Sequence, residues 1–204
     1  MPLSPTLLAN QILVIQKQVP PAKEELMNYC AGFIAMIQAG VVNHALVTGV
    51  TAPGAPLASG AASAGLITVT PGPWIGKSGD IGPLAIAEHT AVTTYIQTNA
   101  LVNFPAGTVT GNCTSTPTSP GPLAAGAAFG GQISGLVGSS CASFVAAATG
   151  GQLFGPDAEP IYTAMMDYVM QTAKAAYITG TITGTCPPGG GSLVGGLGTG
   201  GVIS

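Results

Sequence analysis

The chain has 204 residues, 47% of them hydrophobic and 5% charged, with four lysines, no arginine, seven acids and a net charge of −3. An ordinary soluble domain is about 25% charged, and a nucleic-acid-binding face needs several Lys or Arg contacts to phosphate. The composition therefore excludes a basic interface and points to a surface covered by partners or by copies of the same chain.

Ser4–Gln18 opens with Ser-Pro, carries Leu7, Leu8, Ile12 and Ile15, and stops at Pro20-Pro21, which predicts a helix. The start Met1-Pro2-Leu3-Ser4-Pro5 has no basic segment or cleavage site of a secretory signal. Ala22–Leu46, Pro83–Asn103 and Asp157–Tyr177 read as long apolar helices. Acids lie near their starts (Glu24, Glu25, Glu88, Asp157, Glu159), and Pro21, Pro83 and Pro160 suit helix entry. Leu26–Val47 is long enough to span a bilayer, but Asn28, Gln38, Asn43 and His44 favour a packed interior or interface helix. A fifth helix is expected over Ile133–Ala148, rich in Gly, Ala and Ser.

Each long helix runs into alternating β-branched and small residues: Leu46–Thr51, Gly107–Gly111 and Ile178–Gly184. Period-two Val, Ile and Thr argue for strands. A Pro/Gly/Ser/Thr loop follows, widest at Thr114–Pro122, and a second extended stretch then completes a β-hairpin. The third such stretch, Gly189–Gly201, is either a flexible low-complexity tail or an ordered extended arm, the arm being favoured because Leu193, Val194, Leu197, Val202 and Ile203 are apolar. Those five residues are the expected assembly surface, with strand edges offered to other subunits.

The pattern is internally repeated. A shift of 73 residues carries Tyr95, Gly107, Thr108, Thr110, Gly111 and Cys113 onto Tyr168, Gly180, Thr181, Thr183, Gly184 and Cys186. A shift of 66 carries Pro56-Leu57-Ala58, Gly60, Gly65 and Ile67 onto Pro122-Leu123-Ala124, Gly126, Gly131 and Ile133, and Tyr29 onto Tyr95. A shift of 70 carries Leu123, Gly126, Gly130-Gly131 and Ile133 onto Leu193, Gly196, Gly200-Gly201 and Ile203. The expected fold is α+β: three tandem helix-plus-β-hairpin repeats with additional short helices, assembled as an oligomer. The repeats are 1–67, 68–133 and 134–204, the last bearing the Gly-rich arm.

Little in the chain looks catalytic. Glu88-His89 is expected to face solvent in a helix's first turn, and His44 to be an interface histidine. No CxxC, HExxH, phosphate loop or Gly-x-Ser-x-Gly elbow occurs, so no catalytic residue, cofactor or metal is expected. Cys30 and Cys141 fall in apolar helices and read as buried thiols. Cys113 and Cys186 follow strands at matching positions; they are either free thiols or a disulfide locking neighbouring repeats or subunits.

Through Leu46–Thr51, Gly107–Cys113 with Pro122–Ile133, and Tyr177–Cys186 with Gly191–Ile203, about half the chain resembles the small Gly/Ala/Thr-rich virion structural proteins of tailed bacteriophages. The resemblance implies a non-enzymatic subunit of a capsid, neck, tail or baseplate, located in the virion. Its partners would be copies of itself and other virion proteins, with no direct contact to nucleic acid or membrane. The alternatives are an extracellular or surface-layer filament subunit and, third, a membrane-active protein.

Overall fold

In the computed structural model, residues 3–17, 22–79, 82–153 and 158–204 are described. Two helices precede each of three hairpins. α1 (Pro5–Ile15) and α2 (Glu24–Gln38) lead into β1 (Val41–Asn43), β2 (Ala45–Thr51) and β3 (Ala58–Thr68). α3 (Gly72–Ser78) and α4 (Pro83–Asn99) lead into β4 (Leu101–Cys113) and β5 (Gly121–Ser134). α5 (Gly138–Ala148) and α6 (Ala158–Thr172) lead into β6 (Lys174–Cys186), β7 (Gly191–Ser192), β8 (Val194–Gly198) and β9 (Gly201–Ile203). The α+β class is as the sequence indicates.

The strands form one antiparallel sheet that closes on itself. β5 pairs with β4, β4 with β3, β3 with β1 and β2, β1 with β9, β2 with β8 and β7, β8 and β9 with β6, and β6 again with β5. β1–β2 is one path interrupted at His44, whose φ is +60°, and β7–β9 is another. The ring thus has six positions, and every strand except the two-residue β7 is paired on both sides. Strand edges expected to pair with other subunits are used inside the chain. The expected C-terminal arm is likewise the closing strand of the barrel, between β6 and β1–β2.

Corresponding contacts recur around the ring. Val42 pairs with Ile67, Val102 with Ile133, and Ala175 with Ile203. Between hairpins, Val102 faces Gly65, Ala175 faces Gly131, and Val42 faces Gly201. Further along, a β-carbon on Gly60 would collide with the carbonyl oxygen of Val109, one on Gly126 with that of Ile182, and one on Gly196 with that of Val47. Only glycine lets the adjacent backbone come so near. Just before each of these glycines the chain turns into the left-handed region, at Ser59 (φ +50°), Ala125 (+53°) and Gly195 (+59°).

The barrel is filled rather than hollow. Phe104 and Tyr177 lie with ring centroids 5.2 Å apart, Phe104 over Gly131 and Tyr177 over Gly198 and Gly201. At the turn end Leu57, Leu123 and Leu193 are buried and pack against Gly49, Gly111 and Gly184 of their own hairpins. Such alternation of large and absent side chains suits a narrow barrel.

All three helix-to-strand passages lie at the other end of the barrel, and the helices pack there as a ring, α1 through α6 and back to α1. The helices are shorter than the sequence suggests. Apolar patterning runs on through one buried residue, Ala100 or Ala173, directly into β4 or β6. Ile133 and Ser134, expected to begin a helix, end β5. α3 has no counterpart in the sequence reading; Trp74 anchors it, fully buried against Gly32 of α2. Two tyrosines fix the ring at equivalent places. Tyr95 of α4 donates to the carbonyl of Val137 (2.9 Å) and accepts from its N–H (3.0 Å), at the N-cap of α5. Tyr168 of α6 makes the same pair of bonds with Ser4, the N-cap of α1. Tyr29, aligned with Tyr95 by sequence, lies instead in the first half of α2 with different partners.

If close strand approach fixes the barrel radius, Gly60→Ala, Gly126→Ala and Gly196→Ala should each destabilise by about 1–3 kcal/mol, the usual cost of overpacking. Gly72→Ala, where a β-carbon meets nothing within 4 Å, should be near neutral. Urea unfolding midpoints check the contrast.

Candidate functional site

The barrel exterior is almost without charge. Of all strand residues only Lys174, at the start of β6, carries one. Large apolar side chains stand outward instead: Leu46 is 58% exposed, Val194 59% and Phe129 59%, with Val50, Ile178 and Val202 similarly placed. Several pair across strands, Leu46 with Leu197, Val41 with Val202, and Leu66 with Leu101. Cross-strand neighbours share one face of a sheet, so these make continuous apolar patches. Of the five residues expected to form the assembly surface, Val194, Leu197 and Val202 lie on this exterior. Leu193 and Ile203 are buried inside the barrel, because alternate residues of a strand point to opposite faces.

Cys113 and Cys186 end β4 and β6, and both are buried at the turn end of the barrel. They form a disulfide with a Cα–Cα distance of 5.8 Å across 73 residues of chain. The bond ties hairpins within one molecule, spanning the end of β5, where Leu123 faces Cys113 and Gly121 faces Cys186. The matching place in the first hairpin is Thr51, buried, whose hydroxyl donates to the Gly191 carbonyl at 2.9 Å. Cys30 and Cys141 are free and buried, and burial pushes both thiols up to about 12.

The helical layer has its own polar centre, which the sequence does not reveal. Glu88 is the sixth residue of α4, beyond its first turn. Tyr29 of α2 and Tyr162 of α6 both donate to its Oε1, at 2.7 and 2.8 Å. Each of the three long helices thus contributes one residue. Burial, then the charge of Glu88, pushes both phenols above their ordinary value. His89 is fully buried and stacks on Trp74 with ring centroids 4.2 Å apart. Of the pair expected to face solvent, His89 is therefore interior and Glu88 is half-buried. His44, by contrast, is exposed at the break between β1 and β2.

Beside Glu88 lies an open cavity of about 670 Å³ among α1, α2, α4 and α6, with lining residues that include Ile12, Leu26, Tyr29, Glu88, Ile161 and Tyr162. Glu24 and Glu25 occupy the first turn of α2, and Glu159 that of α6, as the macrodipole favours. Asp157, Pro20 and Pro21 lie outside the described residues. Among the described residues no group of three His, Cys, Asp or Glu could hold a metal ion, and no helix is long and apolar enough to cross a membrane. Compared with known proteins, the chain matches no family model, no curated protein and no solved structure.

Two outcomes follow from this chemistry. Replacing both Cys113 and Cys186 by Ser should lower unfolding free energy by about 4 kcal/mol, the loop-closure value for a cross-link of this span; denaturant titration of oxidised, reduced and variant protein measures it. Alkali should unfold the chain. Cys30 and Cys141 rise from 9.0 to about 12 and Tyr177 from 10.0 to about 12, Tyr177 mainly by burial. Raised acids favour the folded state while protonated, so this stability is complete below pH 9 and is lost as pH climbs from 9 towards 12. Urea midpoints recorded across that range should fall steadily.

Proposed function

We propose that this chain is a non-enzymatic assembly subunit, built from three tandem units and housed in the virion of a tailed bacteriophage. The observation that carries the assembly reading is the barrel exterior, where one lysine is the sole charge and apolar pairs such as Leu46–Leu197 and Val41–Val202 face outward. An isolated monomer with so large an uncharged apolar surface has nothing to keep copies apart. Such a face is stable when covered by another protein surface.

The tandem-unit reading is supported by the recurring geometry: three hairpins with one register, three glycines under three carbonyls, and two tyrosines holding the next unit's first helix. Units 1–67, 68–133 and 134–204 each contain two helices and one hairpin, so the unit is larger than the single helix plus hairpin of the sequence reading. The virion setting rests on the resemblance drawn from Leu46–Thr51, Gly107–Cys113 and Tyr177–Cys186. It fits a protein whose polar groups serve internal contacts, as Glu88 does with Tyr29 and Tyr162.

A second reading, an extracellular or surface-layer filament subunit, is favoured by the Cys113–Cys186 disulfide, since such bonds persist in oxidising surroundings. Mass spectrometry of purified native particles separates the two by showing which particle contains the chain.

Light scattering at physiological salt is expected to give an oligomer for the native chain. Leu46→Lys with Val194→Lys, two exposed positions, should shift it to monomer with the fold intact by circular dichroism. A stable native monomer would remove the assembly role.

A further inference from the structure

We propose that the cavity beside Glu88 is a binding site for a small organic cation, an ammonium group joined to an aliphatic chain. The cavity, at about 670 Å³, falls in the range of small-molecule sites, which combine apolar walls with a few fixed polar groups. Here the walls are Ile12, Leu26, Leu153 and Ile161, and the fixed polar group is the Glu88 carboxylate.

That carboxylate is held in place from two helices. Tyr29 and Tyr162 both donate to Oε1, which orients the group and directs neither bond to Oε2. An ionised carboxylate only accepts hydrogen bonds and has about four lone-pair sites, so the chemistry it can add is donation from a ligand. The sign of the site agrees. Among the described lining residues the formal charges are Glu25 and Glu88, both acids, and no Lys or Arg is present. An anion would meet repulsion there. A neutral apolar ligand would cover the carboxylate without replacing the hydrogen bonds of its water, which is unfavourable. A primary ammonium supplies up to three donors and the opposite charge, and its alkyl chain can lie along Ile12, Leu26 and Ile161. The inference is independent of the assembly reading, since the cavity lies in the helical layer and not on the barrel exterior.

The test is calorimetric titration of the full chain with n-hexylammonium chloride at constant ionic strength, with 1-hexanol as the uncharged probe of equal length. Saturable binding of hexylammonium, at least tenfold tighter than hexanol, is expected. Glu88→Gln keeps a carbonyl oxygen for the two tyrosine hydroxyls but removes the charge, and should weaken hexylammonium at least tenfold while leaving hexanol unchanged. Should that variant fail to fold, Ile161→Trp, which enlarges a wall residue and leaves Glu88 in the chain, should weaken hexylammonium at least tenfold. No saturable binding by the native chain, equal binding of hexanol, or undiminished binding in the folded variant used would each overturn the proposal.

Discussion

The barrel closes because three glycines admit a neighbouring strand's carbonyl where a β-carbon would otherwise sit. Gly60 under Val109, Gly126 under Ile182 and Gly196 under Val47 set the spacing between hairpins. Closure joins the last strands of the chain to the first, which leaves only the short β7 paired on one side. Inside it the rings of Phe104 and Tyr177 lie side by side, while the first hairpin places Ala45 after Val42 and breaks at His44. The disulfide follows the same logic: β4 and β6 flank β5 in the closed ring, so their ends meet across it.

The same closure divides the molecule by polarity. Nearly every charge is placed outside the strands, while the barrel presents Thr, Gly, Ala and outward apolar residues. Within the helical ring Glu88 is turned inward and bonded to two tyrosines, an arrangement that locks three helices through one carboxylate oxygen. Hydrogen bonds to a charged acceptor are the stronger kind. The helical ring thus has a polar centre and a cavity, and the barrel has an uncharged coat. Different surfaces are thereby available for binding a small molecule and for joining other subunits.

Much of this organisation is legible in the sequence, for identifiable reasons. The shifts of 66, 70 and 73 are carried by residues whose places are sterically fixed: Gly60, Gly126 and Gly196 under carbonyls, Leu57, Leu123 and Leu193 in the barrel end, and Cys113 with Cys186. Helix ends are less legible, because Ala100 and Ala173 pass the chain from helix to strand without any turn residue. α3 is hidden because its seven residues, with Gly and Pro among them, show no period; it depends on Trp74 packing against Gly32. Barrel closure is not visible at all, since hairpin patterns do not state which strands meet between hairpins. The Glu88 centre is hidden for a similar reason: its partners lie 59 and 74 residues away, and adjacency to His89 suggests surface polarity instead.

If the three proposed units are cyclically equivalent, a circularly permuted chain should fold as the unpermuted chain does. Ser4 is bonded to Tyr168 and Ser204 to Lys174, six residues further on, so both lie against the segment that leads from α6 into β6. The corresponding passage between the second and third units lies between Ser134 and Val137, where Tyr95 takes the place of Tyr168. A chain opened there, with residue 204 joined to residue 1 by a short Gly/Ser linker, should form the Cys113–Cys186 disulfide and unfold in one transition within about 2 kcal/mol of the unpermuted chain, the scale of ordinary single-site changes. A permuted chain that stays unfolded, or that folds with those cysteines reduced under oxidising conditions, would contradict that equivalence.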